Sequence, residues 1–256
     1  MRRARLGNTS LEVSRLCFGT GLLDWIQARL TPEVAGQVLK RAFELGVTFW
    51  DTADHYRSHP HVREGLRLVG RENVVVATKT QAKDYESAAA DLERFLRELD
   101  TDYLDIVHLH GVDSPEDYAA RAGALAALVD ARAKGTIRAV GLSTHSVSTA
   151  RILPRAQRDG VEVSLVVLNK TGHTLKSGTL AEMEAAVGAA RELGLGIYSM
   201  KVLGQGSSLA EHSLSELFAH NLSLPYLDSL VVGMITAREV EQNVAIVEKL
   251  DTRGSA

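Results

Sequence analysis

Four polar side chains stand where short apolar runs of this sequence end. Asp51 closes the run Thr48–Asp51, and Tyr56 follows it by five positions. Lys79 follows Val74–Thr78, and His110 follows Leu104–Leu109. A free phenol ionises near pH ~10, too high for easy proton exchange at neutral pH. An ammonium beside it favours the phenolate and lowers that value. The run Val74-Val75-Val76-Ala77 sets the base of Lys79 in an apolar wall. A buried ammonium needs a partner, and Asp51 on the neighbouring run supplies one. In this reading Asp51 holds Lys79, Lys79 lowers the pKa of Tyr56, and His110 orients a substrate oxygen. Such a set is a general acid suited to a carbonyl that accepts a hydride. Taken singly, each residue has a plainer role: Asp caps a helix, Lys is solvated, His is structural and Tyr packs. The combination carries the reading.

To bring these side chains together, successive strand ends must converge. The Val-, Ile- and Leu-rich runs predict eight strands: Arg15–Phe18, Thr48–Asp51, Val74–Thr78, Leu104–Leu109, Arg138–Leu142, Val163–Leu168, Leu195–Ser199 and Ser229–Val232. Helical spacing predicts Thr31–Leu45, His61–Leu68, Tyr85–Leu99, Pro115–Lys134, Val147–Gln157, Leu180–Leu193, Leu209–His220 and Ala237–Leu250 between and after them. Strands alternating with helices pair in parallel, because parallel neighbours need a crossover. Eight such pairs predict an α/β fold, the (β/α)8 TIM barrel, as a single domain over residues 1–256; a barrel of this kind needs ~250 residues. The rival is an open doubly wound sheet. Its Gly-rich first turn is represented only by Gly19-Thr20-Gly21, without a third glycine. The Arg-rich start at residues 2–5 reads as solvated, and the tail from Thr252 reads as frayed.

Composition narrows the function. Of the 256 residues 45% are hydrophobic and 24% charged, which is ordinary for a globular chain. Net charge is −3, so nothing in the charge balance points to nucleic acid. There is no leader-like apolar stretch after the first arginines and no run long enough for a membrane helix. Cys17 is the single cysteine, which fits a cytoplasmic setting. The partner expected is a small-molecule carbonyl or alcohol; oligomeric state is not legible.

Phe49-Trp50-Asp51-Thr52-Ala53-Asp54-His55-Tyr56 resembles the Asp-Thr-Ala-x-x-Tyr motif of the aldo-keto reductase family. Ala77-Thr78-Lys79, the stretch Asp102–His110 with His five positions after Asp105, and Lys134–Ser143 are similar to further motifs of that family, as is the entry to the last helix between Gly233 and Asn243. The resemblance implies a metal-free (β/α)8 barrel that uses NADPH, with NADH as the second choice. It implies a catalytic tetrad of Asp51, Tyr56, Lys79 and His110. It places Gly19, Thr20 and Gly21 at the edge of the cofactor cleft and Ser143 on the nicotinamide carboxamide. Thr144, Asn169, Met200 and Lys201 join them, Leu203 and Gly204 follow the pyrophosphate, and Gly233, Thr236, Arg238 and Asn243 take the adenosine end. Trp25, His55 and His145 would wall the substrate pocket.

Departures from the family pattern mark a shorter branch. Thr144 replaces a common Asn, Leu165 a common Gln, and Met200 the ring that stacks on nicotinamide. Tyr198 lies two residues before Met200, on the same strand face. Arg57 follows Tyr56 where Gly is usual. Ile235 and Glu239 hold positions that are often basic in NADPH-preferring members. The short stretches after Gly204 and after the last helix predict a pocket that is open to a bulky substrate or completed by another subunit. A nicotinamide-binding barrel serving as sensor or accessory subunit is the alternative reading. A metal-dependent hydrolase ranks third, because His108 and His110 share a strand face but no second histidine pair stands at another strand end.

Overall fold

The first paired residues fall in the stretch that composition reads as a solvated start. In the computed structural model, which describes residues 1–24 and 27–253, β1 (Arg3–Arg5) and β2 (Glu12–Ser14) form an antiparallel hairpin. The arginine side chains at 3 and 5 do reach solvent, but the backbone between them is paired. Leu6, Leu11 and Val13 of this hairpin are buried in the same apolar cluster as the barrel interior. The turn sits so close to the barrel that a Cβ on Gly7 would lie 2.2 Å from the amide nitrogen of Gly196.

Eight parallel strands then close into a barrel: β3 (Leu16–Gly19), β4 (Phe49–Asp51), β5 (Val75–Thr80), β6 (Leu104–Leu109), β7 (Ile137–Thr144), β8 (Val163–Val167), β9 (Gly196–Met200) and β10 (Ser229–Gly233). β10 pairs with β3, so the sheet has no free edge. This is the (β/α)8 barrel that the alternation predicts. The helices α1 (Pro32–Glu44) and α3 (Tyr85–Leu99) begin where their sequence signals place them, whereas α2 (His59–Val69) begins two residues before the expected His61, with Pro60 in its first turn. Thr31 and Asp84 accept the backbone N–H of Val34 and Ser87, satisfying donors that a helix N-terminus leaves open.

Two of the expected helices are broken. The stretch 115–134 forms α4 (Pro115–Ala120) and α5 (Ala122–Ala133), interrupted at Arg121. Its guanidinium folds back onto both oxygens of Asp117 and onto the carbonyl of His110. The stretch 147–157 forms α6 (Val147–Ala150) and α7 (Leu153–Arg158), the latter with Pro154 in its first turn, where a missing N–H costs nothing. After α8 (Leu180–Glu192), the expected helix from Leu209 starts only at α9 (Leu214–Ser223), where Ser213 and Glu216 form a capping box. A 3-10 segment, Gly204–Ala210, precedes it. α10 (Ala237–Arg253) carries Thr252 and Arg253 of the expected frayed tail as helix, and the rest of that tail, 254–256, lies outside the described residues.

The barrel interior is filled by side chains of unequal size. Phe49, Tyr198 and His108 are large; Gly141 leaves room for the His108 ring, and Gly196 for Leu6 of the hairpin. Gly141 pairs in register with His108, and a Cβ there would lie 2.2 Å from the ring nitrogen Nδ1. Gly141→Ala is therefore expected to destabilise the fold by about 1–3 kcal/mol through overpacking. Urea unfolding should show a lower midpoint, and the loss should shrink in a His108→Ala background. An unchanged midpoint would mean that the ring has room to move.

Candidate active site

The ends of β4, β5 and β6 bring the predicted side chains together. Asp51 is the last residue of β4, and Lys79 lies within β5, both buried. The Lys79 ammonium donates to Asp51 Oδ1 at 2.5 Å and to the Thr52 carbonyl at 2.6 Å. Its third proton has no partner among the described residues. Burial disfavours this ammonium, but Asp51, with help from Tyr56 and Cys17, outweighs it and raises the Lys79 pKa. Lys79 Nζ stands 5.1 Å from the centre of the Tyr56 ring. That ring meets the His110 ring edge-on, with centroids 5.9 Å apart.

One expectation reverses. Lys79 is the strongest single influence on Tyr56 and does act to lower its pKa. Burial and the Asp51 carboxylate together outweigh it, so the phenol sits above its ordinary value. Tyr56 is thus held in its proton-bearing form. His110 is pushed down to about 3 by burial and by Lys79, so it is a neutral imidazole that can offer an N–H.

Tyr56 lies on a 3-10 turn, Asp54–Tyr56, between β4 and α2. Arg94 of α3 anchors that turn, donating to Asp54 at 2.6 Å while also holding Asp91 and Glu98. Glu98 in turn bonds to His59 at the start of α2, whose other nitrogen meets Thr78 of β5. The turn ends at Arg57 with φ +56°, a conformation that glycine adopts freely and that costs another residue about 1–2 kcal/mol. Asp105 of the β6 motif serves the scaffold: its carboxylate binds Arg71, Arg138 and the amide of Val76.

The residues expected around a cofactor fall into two groups. Several are spent on the scaffold. Thr20 donates to the Asp51 carbonyl and shares a hydrogen bond with Ser58. Ser143 is buried, accepting the Gly111 N–H at 2.8 Å. Thr144 accepts the Ser146 N–H, and Asn169 uses both ends of its amide within residues 169–173. Gly19 packs where a Cβ would lie 2.8 Å from Val231, and Asn243 is buried on α10. Others face outward or sit at the rim. A Cβ on Gly21 would touch the Tyr56 ring at 3.4 Å, and Gly233, Thr236 and Arg238 are exposed at the entry to α10. Met200 ends β9; Lys201 follows, half-buried with φ +60°, ahead of Leu203 and Gly204. His55 and His145 lie close enough to disfavour a charge on His110. Trp25 lies outside the described residues.

Two buried residues, Tyr198 and His108, lie beneath these side chains; the sequence assigns Tyr198 no role, and His108 figures only in the metal reading. Tyr198 donates to Asp51 Oδ2 at 2.9 Å, and its oxygen lies 2.7 Å from His108 Nε2. His108 is therefore committed to a phenol, and among the described residues no group of three or more His, Cys, Asp or Glu side chains is arranged to hold a metal ion. The signal for Tyr198 was strand alternation, which puts it on the face of Met200.

The neutral His110 has a consequence for acid stability. Its folded value of about 3 lies below the ordinary 6.5, so its contribution is complete above pH 6.5 and is lost as pH falls towards 3. His110→Gln should flatten the fall in unfolding free energy between pH 6 and 4 by up to about 1.4 kcal/mol per pH unit. Denaturant unfolding at several pH values checks this; an unchanged slope would show that His110 charges without penalty.

The chain was compared with known proteins. The model described as the Aldo/keto reductase family matches residues 15–221. L-galactose dehydrogenase of Arabidopsis thaliana is 25% identical over 289 aligned positions, covering 97% of this chain and 89% of that one. Probable aldo-keto reductase 1 of Glycine max is 30% identical over 217 positions, covering 79% of this chain and 59% of that one. An aldo-keto reductase from Bacillus halodurans, solved in its holo form, shares the fold with a TM-score of 0.78 at 19% identity, covering 97% and 91%. With an eight-stranded parallel barrel and this match over most of its length, the chain belongs to the aldo/keto reductase family and is an NAD(P)H-dependent oxidoreductase.

Proposed function

We propose that the chain works as a single barrel domain that reduces an aldehyde or ketone, or oxidises the corresponding alcohol, with Tyr56 as the general acid. The observation that carries this reading is the Asp51–Lys79 pair at 2.5 Å directly beside the Tyr56 ring. A phenol held protonated next to an ammonium can donate to a carbonyl oxygen, and the ammonium stabilises the phenolate left behind. The N–H of neutral His110 is suited to orient the same oxygen. Arg94 and the His59–Glu98 pair keep the turn that bears Tyr56 in place. The lone buried Cys17 fits a cytoplasmic setting, and among the described residues no helix is long and apolar enough to cross a membrane.

The residues present fit a nicotinamide dinucleotide. Lys201 is a half-buried ammonium with no anionic partner among the described residues. Gly204, Gln205 and Gly206 follow in left-handed backbone, with the N–H groups of Gly204 and Gly206 donated to the carbonyls of Lys201 and Leu203, so this turn is itself closed by hydrogen bonds beside the ammonium. Lys201, Leu203 and Gly204 would hold the pyrophosphate, and the bound dinucleotide supplies or accepts the hydride.

The adenosine end supports NADH over the NADPH that resemblance implies. Glu239 Oε2 accepts the N–H groups of Ile235 and Thr236 at the start of α10, at 2.7 and 3.3 Å. A 2′-phosphate would have to compete with that carboxylate for a helix N-terminus that favours a single anion. Exposed Arg238 is the cation available to offset it.

Tyr56→Phe is expected to lower carbonyl reduction by about 10²–10⁴-fold while leaving dinucleotide affinity unchanged. Steady-state rates on a panel of aldehydes and ketones, with L-galactose included in the oxidation direction, would be read beside quenching of tryptophan fluorescence by NADH and NADPH. Full turnover in the variant would overturn the mechanism. Glu239→Gln should raise the NADPH-to-NADH affinity ratio, and Arg238→Ala should lower it, each by about two- to fivefold. A ratio unmoved by both changes would remove the assignment of this helix start.

A further inference from the structure

We propose that Tyr198 is a positioning residue for the tetrad: its hydroxyl, held by His108, fixes the second oxygen of Asp51 so that the first stays on Lys79. The inference rests on the reading of Tyr56 as the proton donor and extends it one layer into the barrel.

The geometry is directional. Asp51 Oδ1 accepts from Lys79, and Oδ2 accepts from the Tyr198 hydroxyl at 2.9 Å. A phenol has one proton. Having given it to Asp51, its oxygen must accept from His108 Nε2, 2.7 Å away. Burial and Lys79 hold His108 well below its ordinary pKa, so it is neutral; with the Tyr198 proton given to Asp51, the ring proton must sit on Nε2 for the 2.7 Å contact to be a hydrogen bond. Burial and Asp51 hold Tyr198 well above its own, so it remains a donor wherever Tyr56 titrates. The other titratable groups felt here are Cys17 from β3, its thiol pushed up by burial and Asp51, the neutral His110 just after β6 and Tyr56 itself. Among the described residues, Lys79 is thus the cation and Asp51 the anion of this layer.

The fold makes specific room for the arrangement. Gly141 leaves the space that the His108 ring fills, and Phe49 lies against the Tyr198 ring with centroids 5.0 Å apart. Both aromatic side chains are fully buried. Without the Tyr198 hydroxyl, Oδ2 would be a buried carboxylate oxygen with no donor. Its charge would then bear more heavily on Lys79, weakening the pull of that ammonium on Tyr56.

The test uses Tyr198→Phe in the full chain, with Tyr56 followed by NMR of 13Cζ-labelled tyrosine and its signal assigned with Tyr56→Phe. The Tyr56 midpoint should rise by about one pH unit, a tenfold change in its proton equilibrium. The kcat for carbonyl reduction should fall about tenfold with KM nearly unchanged, and the pH at which alcohol oxidation switches on should rise with the midpoint. His108→Gln keeps an N–H for Tyr198 and should lose less than His108→Leu. If Tyr198→Phe does not fold, Tyr198→Phe with His108→Leu removes both polar partners together and gives the same readouts. An unmoved Tyr56 midpoint with unchanged kcat would overturn the positioning role. A moved midpoint in a protein whose Tyr56→Phe variant keeps full turnover would uphold Tyr198 while rejecting Tyr56 as the acid.

Discussion

A lysine ammonium buried inside a barrel is the constraint from which the rest of this molecule follows. Removing such an ion from water costs several kcal/mol even after relaxation, and one opposite charge seldom repays it unless further hydrogen bonds complete both partners. Lys79 meets Asp51 and the Thr52 carbonyl, and Asp51 meets Tyr198 with its other oxygen. Tyr198 needs a donor of its own and finds it in His108, which needs the cavity left by Gly141. Each step is forced by the one before it, and the sequence of steps crosses five strands.

A second framework surrounds this core and governs the rim. Arg94 gathers Asp54, Asp91 and Glu98, so the turn that carries Tyr56 is tied to α3 rather than left to its own short backbone bonds. Arg121 breaks a helix in order to reach the carbonyl of His110. The backbone that carries two of the four converging side chains is thus held from outside the barrel by guanidinium groups, whose several donors in a fixed fork can answer more than one acceptor.

Much of this was legible beforehand because barrel strands are apolar runs that end in polar residues, and the four converging side chains are such endings. The spacing of Asp51, Tyr56, Lys79 and His110 needed no tertiary information. The hairpin of β1 and β2 was not legible, since three-residue polar strands carry no periodicity and gain their order by packing on Gly194 and Gly196. The Tyr198 contacts were also out of reach. Alternation shows which face a side chain takes, but Asp51 and His108 stand 147 and 90 positions away in the chain and meet Tyr198 only through closure of the barrel. The direction of the Tyr56 pKa failed for a related reason: the attraction of Lys79 could be foreseen, whereas the depth of burial that outweighs it could not.

The depth of the Tyr198–His108 layer separates two tasks that many active sites mix. The buried polar groups Asp51, Lys79, His108 and Tyr198 are rooted in strands β4, β5, β6 and β9, under the mouth of the barrel. The segments around it, such as 111–114 and 169–179, are connections that can lengthen, shorten or change composition with little effect on that root. Selection for a new substrate can therefore work on the rim while the buried polar layer below is inherited intact. In this barrel, specificity and reactivity are free to evolve at different rates.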